Sequence, residues 1–317
     1  MASSLFSKRL PGRYGGGTGN VFNIFAEALS LLRNGWLAVP LILYFALRLA
    51  IIFLYLASVT EPLSSFWALL VGGLSGEELS HYPAHLILMP VILSRFDMAL
   101  DILVSVLFQG ATISLIAAAY RRRPVSLAAG FSEASRDYLH LIVVMFAVSI
   151  ALFVCLNVPR LLTTGLGGAM RLGITGLALL LGLIMQALFL YAIPLVVLER
   201  RSAPRAIAAS ARFTRRNAFT TFLLVAAPFV LTVPTLLLGF RAEMIAFRIS
   251  PDFLLINQIA GEIMQLIATY LVIGGATIAL IRGMRADTGT KPIKRSMEAV
   301  NETAHRAGNN RTVRTGV

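Results

Sequence analysis

Long apolar runs bounded by polar or basic residues recur along the chain. A helix crossing roughly 30 Å of hydrocarbon needs about 20 residues at 1.5 Å rise. Six runs are long enough: Trp36 to Val59, Met98 to Tyr120, Leu139 to Val158, Leu172 to Leu198, Ala218 to Gly239 and Phe253 to Ile281. Trp36, Tyr120, Tyr138 and Tyr191 lie at or near their ends, where interfacial aromatic residues belong. Shorter segments show helical rather than continuous apolar spacing. Val21, Ile24, Phe25, Ala28 and Leu32 share one helix face, and so do Leu127, Phe131, Ala134 and Tyr138. Such helices should lie in the membrane plane.

Two of these short segments resemble each other. Pro124-Val-Ser-Leu-Ala-Ala-Gly, ending at Arg136-Asp137, aligns without gaps on Pro204-Arg-Ala-Ile-Ala-Ala-Ser, ending at Arg216-Asn217, with a constant offset of 80 residues. A fainter third copy runs from Asn23-Ile-Phe-Ala to Arg33-Asn34. The expected fold is therefore an all-α integral membrane protein with six transmembrane helices as three hairpins, each preceded by an in-plane amphipathic cytoplasmic helix. Residues 1–20 read as a flexible basic leader and 21–282 as a single membrane domain with units 21–120, 121–198 and 199–282. Residues 283–317 read as a disordered basic tail. No short apolar stretch with a small-residue cleavage site follows the N-terminus, so no cleaved signal peptide is expected.

Composition agrees with a lipid solvent. Of the 317 residues 57% are hydrophobic and 14% charged, against about 25% charged in an ordinary soluble domain. Mean hydropathy is +0.78. The net charge of +13 then needs an explanation, and its distribution supplies one. Of 28 lysines and arginines, 22 fall before the first run, between the second and third, between the fourth and fifth, or after the sixth. The alternate loops hold five, and Arg48 lies inside the first run. Basic residues are retained on the cytoplasmic side, so both termini are expected there. Arg121, Arg122, Arg123, Arg200, Arg201, Arg215 and Arg216 are placed to meet anionic lipid headgroups. No recognition motif accompanies the charge, so nucleic acid is not an expected partner. Besides lipid, the expected partner class is another membrane protein.

Pro194-Leu-Val-Val-Leu-Glu199, with Pro204-Arg-Ala-Ile-Ala-Ala-Ser210 and Arg216-Asn217, resembles the cytoplasmic signature of a bacterial family of six-span proteins. That family is the membrane domain of glycerophosphoryl diester phosphodiesterases, with related uncharacterised inner-membrane proteins. In it the hydrolase activity belongs to a separate soluble barrel domain. Only about 35 polar residues follow the last apolar run here, so the resemblance implies architecture and location rather than phosphodiester hydrolysis.

The most informative single residue is Arg48. An arginine at mid-membrane costs about 2.5 to 3.5 kcal/mol on insertion scales, so it must face the bundle and a partner. Counting inward from the external ends, Arg48 and Glu262 sit at roughly 16 and 14 Å depth. Asp97 and Asp101, one turn apart, are second choices. Gln109, Asn157, Gln186, Asn257 and Gln265 are expected to bond between helices. Pro228 and Pro234 should kink the fifth span. Ala178 with Gly182, and Gly275 with Ala279, have the four-residue spacing of close helix contacts.

Other chemistry is poorly represented. Glu77, His81 and His85 have helical metal-ligand spacing, but Pro83 interrupts it, so no metal and no cofactor are expected. Gly15-Gly-Gly-Thr-Gly19 lacks the lysine of a phosphate loop. The single Cys155 lies in an apolar run, and four histidines assemble no nucleophile with its base. The residues thus point away from an enzyme, towards a structural or accessory envelope component supporting membrane organisation or a partner complex. The alternative is a transporter or lipid-handling protein with a polar site around Arg48 and Glu262; a polar cavity reaching Arg48 would favour it over a dry bundle.

Overall fold

The computed structural model describes residues 18–57, 86, 89, 93, 96–162, 168–239, 241–250 and 252–309. These residues contain no β-strand. The helices are α1 (Thr18–Leu31), α2 (Val39–Ala57), α3 (Phe96–Tyr120), α4 (Leu127–Arg136), α5 (Tyr138–Leu162) and α6 (Gly168–Phe189). They continue with α7 (Ala192–Glu199), α8 (Ala203–Arg216), α9 (Ala218–Gly239), α10 (Ala242–Arg248) and α11 (Asp252–Asn309).

Six helical stretches are long and apolar enough to cross a membrane: Val39–Ala57, Phe96–Tyr120, Tyr138–Pro159, Gly173–Glu199, Ala218–Gly239 and Asp252–Met284. Their outward surfaces are apolar as well. Only 11% of the apolar window of Tyr138–Pro159 is buried inside the protein, and Val143, Phe146, Ile150 and Phe153 stand exposed along it. Water does not solvate such a surface without a large penalty, whereas hydrocarbon does. The chain is a multi-pass membrane protein.

The short helices pack in a consistent manner. α4 lies on α3, α8 on α6 and α7, and α1 on α11, so each rests on the spanning helix before it and the first rests on the last. Small residues bring the pairs close together. A Cβ added at Gly130 of α4 would sit 3.0 Å from Leu115 Cγ and 3.3 Å from the Ala111 carbonyl oxygen of α3. One at Gly274 of α11 would sit 3.2 Å from the Ala28 Cβ of α1. Polar groups pin each contact: the Ser114 hydroxyl donates to Glu133, and the Tyr270 hydroxyl donates to the Ala28 carbonyl at 3.1 Å. Arg282 also pairs with Glu27.

The fourth span differs from the sequence expectation of one continuous helix over 172–198. It breaks at Leu190–Tyr191, between α6 and α7. Pro194 is the cause, since its ring has no N–H to offer Leu190 and clashes with that carbonyl. α8 meets the backbone groups freed at the break. The Ser210 hydroxyl donates to the Leu188 carbonyl at 2.6 Å and accepts from the Tyr191 N–H at 3.1 Å. The Thr214 hydroxyl donates to the Ala187 carbonyl at 2.9 Å. These contacts explain why two hydroxyl residues sit buried on the packing face of α8.

A second difference concerns the C-terminal segment. The sequence expectation was an irregular tail from Gly283, but the backbone of α11 stays helical through Asn309. Thirteen of residues 283–309 are the good helix formers Ala, Arg, Lys, Met or Glu, set against Gly283, Gly289, Pro292 and Gly308. Extending a nucleated helix through such residues costs far less than starting one. The main buried cluster lies around α1, α3, α7, α8 and α11, with Ile24, Ile113, Leu141, Tyr191 and Leu224 at its centre. A smaller cluster of Ile52, Tyr55, Met89 and Leu93 lies near the far end of α2. The site described next lies between these two.

Candidate functional site: an ion-paired cavity between the spans

Along α2 the inward row is Leu41, Tyr44, Arg48, Ile52 and Tyr55, spaced by three or four residues. Four of these five are buried, and Arg48 holds the middle place with 13% of its side chain exposed. The helix phase therefore fixes Arg48 towards the bundle. On α3 the polar row is Asp97, Asp101, Ser105 and Gln109. Strict four-residue spacing drifts around an α-helix, but Asp101–Ser105 form a π-helical stretch. Its wider turn offsets the drift, so all four residues line one cavity. The Tyr138 hydroxyl of α5 donates to the Leu103 carbonyl within this stretch.

Arg48 is held from two sides. Its Nη2 lies 2.8 Å from Asp97 Oδ2, and its Nε lies 2.9 Å from Glu262 Oε2 on α11. The Nε contact has the distance of an ion pair without the alignment of a hydrogen bond. The Tyr44 hydroxyl donates to Asp101 Oδ1 at 2.6 Å. Gln258 Nε2 supports Glu262 at 3.3 Å. One guanidinium thus faces three carboxylates, and with all groups ionised two negative charges have no cationic match. Burying such an excess in low dielectric is costly unless a proton or a cation neutralises it.

These groups line a cavity of about 580 Å³ to which all six spanning segments contribute. Gln109, Asn157, Gln186 and Gln265 lie on its wall. Asn257 does not, and its amide donates instead to the Thr235 carbonyl at 3.2 Å. Pro228 lines the cavity, whereas Pro234 does not, and α9 runs on as a helix through both. Most of the remaining wall is apolar. Met98, Phe153 and Leu156 border the cavity and also face outward, at 50%, 57% and 40% exposure. The cavity is therefore open rather than sealed beside these residues of α3 and α5.

Arg48, Asp97, Asp101 and Glu262 come together in this structure; the cytoplasmic-type arginines of the sequence do not join them. Arg121, Arg122, Arg123, Arg200, Arg215 and Arg216 stand exposed, and Arg201 is half-buried beside its partner Glu199. Glu77, His81 and His85 lie outside the described residues. Among the described residues no group of three or more His, Cys, Asp or Glu is arranged to hold a metal ion. Sequence reasoning missed Tyr44, whose place one turn before Arg48 was the available signal, and Ser105, whose position depends on the π stretch. Compared with known protein families, curated proteins and solved structures, the chain matches none.

Proposed function

We propose that the chain is a transport protein that takes an amphipathic, cationic solute into the cavity from the lipid phase. The observation that carries this reading is the cavity itself, bordered by every span and carrying the Arg48 cluster on its wall. A bundle serving only as a scaffold gains nothing from keeping such a volume unfilled beside buried charges. The mainly apolar wall suits the hydrophobic body of the solute, and the surplus carboxylate charge of Asp97, Asp101 and Glu262 suits a cationic group. Arg48 keeps those carboxylates apart and becomes their competing partner when the site is empty.

In this reading the protein sits in a bacterial inner membrane with both termini cytoplasmic, because basic residues mark that side. Three units, each a short in-plane helix followed by a hairpin, are related about an axis along the membrane normal, as in parallel-repeat transporters. The packing of α4 and α8 on the preceding span, and of α1 on the last, supports such a repeat. The exposed arginines meet anionic headgroups. The likeness of 194–217 to the six-span membrane domain fits a membrane module without hydrolytic chemistry. No catalytic constellation is part of the proposal.

Equilibrium binding of tetraphenylphosphonium to the purified chain in lipid nanodiscs tests it, with tetraphenylborate as the anionic counterpart of the same shape. Saturable binding of the cation alone is expected. Asp97→Asn with Glu262→Gln should weaken it by about tenfold or more, since two charges at short range are lost. Equal binding of both probes, or binding unaffected by the double variant, would refute the proposal.

A further inference from the structure

The outer face of α8 carries a second feature, remote from the cavity. Arg201, Pro204, Arg205, Ala208 and Arg212 line a shallow groove. The buried row of the same helix is Ala203, Ala206, Ser210 and Thr214, the row that packs on the broken fourth span. At 3.6 residues per turn the basic row lies on the opposite side of the helix. The groove therefore faces away from the bundle.

Three properties make this more than a solvated basic face. Arg201 is oriented by its ion pair with Glu199, the only acidic residue between Tyr191 and Asn217. Among the described residues, Arg205 and Arg212 have no carboxylate within ion-pair distance. Ala208 lies between them with too small a side chain to fill the floor. In addition, Ser202 makes no side-chain cap at the start of α8, so the first-turn N–H groups of Ala203 and Arg205 add their partial positive charge nearby.

We infer that this groove binds a phosphate group, held between the Arg205 and Arg212 guanidiniums over Ala208 and completed by Arg201. Two planar guanidinium forks with no carboxylate at ion-pair distance among the described residues match the oxygens of a phosphate, and their joint charge favours a doubly charged anion. Both a phospholipid headgroup and a soluble phosphate compound present this chemistry. The inference is independent of the cavity, so its failure would leave the transport reading untouched.

The test uses the full chain in phosphatidylcholine nanodiscs with two probes: fluorescent phosphatidic acid, and inorganic pyrophosphate in solution. Arg205→Gln with Arg212→Gln should weaken binding of the phosphate probe roughly tenfold or more. Ala208→Trp keeps every charge but fills the floor, and should weaken it comparably. Arg241→Gln with Arg248→Gln removes the same charge from exposed positions outside the groove and away from the headgroup arginines, and should change binding by less than about twofold. All three variants leave the Ser210 and Thr214 contacts intact, and an unchanged helical spectrum with monodisperse elution confirms their folding. Pyrophosphate competition identifies a soluble ligand, and binding of the lipid alone identifies a headgroup. Equal losses in the two double variants, or full binding by Ala208→Trp, would overturn the inference. So would binding of neither probe by the unaltered chain.

Discussion

Replacing Arg48 by methionine, which keeps an unbranched stem as far as the Nε position and removes the charged head, should cost more than any change to one of its partners. Two carboxylates lie within 2.9 Å of the guanidinium, and a third carboxylate shares the wall. At an effective dielectric near 20, a pair of unit charges about 4 Å apart is worth about 4 kcal/mol before desolvation is counted. Recovering the hydration of the guanidinium offsets part of that, and removing one member of a buried pair costs about 3–5 kcal/mol net. Glu262→Gln is milder, because Asp97 still holds Arg48 at 2.8 Å. Its cost should be about 1–2 kcal/mol, below that of breaking a buried pair outright, because the lost ion-pair contact is offset by weaker repulsion among the carboxylates. Adding Glu262→Gln to Arg48→Met should recover part of the loss, since one of the mutually repelling carboxylates becomes neutral. Chemical unfolding of the four proteins in mixed micelles, followed by circular dichroism, measures the cycle. A Glu262→Gln cost equal to that of Arg48→Met, or strictly additive effects, would refute the assignment of Arg48 as the shared counter-ion of the three carboxylates.

The other predictions address packing and topology. Ser210→Ala leaves the Tyr191 N–H and the Leu188 carbonyl without their partner, and should destabilise by about 2–4 kcal/mol in the same unfolding assay. Gly130→Val forces a side chain against Leu115 and the Ala111 backbone, and should cost about 1–3 kcal/mol, with Gly130→Ala nearer the lower end. Tyr44→Phe removes the 2.6 Å hydrogen bond to Asp101 and should weaken cation binding more than it lowers stability, as read by a binding isotherm beside a melting curve. Reporter fusions after residues 80, 165 and 245 should all read as external, and a cytoplasmic reading at 165 would contradict the proposed topology.

How far the sequence speaks differs from one feature to the next. The six spans are legible because crossing hydrocarbon demands a length that few other structures require, and Tyr138 and Gly239 mark ends that the structure shares to within a residue. The proximity of Arg48 and Glu262 is legible from depth, since two charges at one level in lipid have few other solutions. Asp97 reads as a second choice because a count from span ends carries an error of about one turn, which is its distance from Asp101. The break in the fourth span was signalled by Pro194, but prolines 228 and 234 show that one residue does not decide the matter. α9 runs through both of its prolines, while the fourth span yields where Ser210 and Thr214 stand ready to receive the freed groups. That arrangement needs a helix distant in sequence, and local pattern does not contain it. The π stretch at Asp101–Ser105 and the cavity are likewise properties of packing.

The seating of α1 on α11 has a consequence for biogenesis. The Tyr270 hydroxyl and the Ala28 carbonyl that it binds are 242 residues apart, and Arg282 lies still further from Glu27. At about 5–20 residues per second, the ribosome needs roughly 10–50 seconds to supply the partner of a helix that it made first. α4 and α8 wait for nothing, because the spans beneath them are synthesised before they are. Until α11 is made, then, α1 lacks its final seat, and an insertion factor or an early-made neighbour would find it available only during that interval. Closure of the bundle is therefore late relative to the seating of α4 and α8, since it waits for α11 to be made.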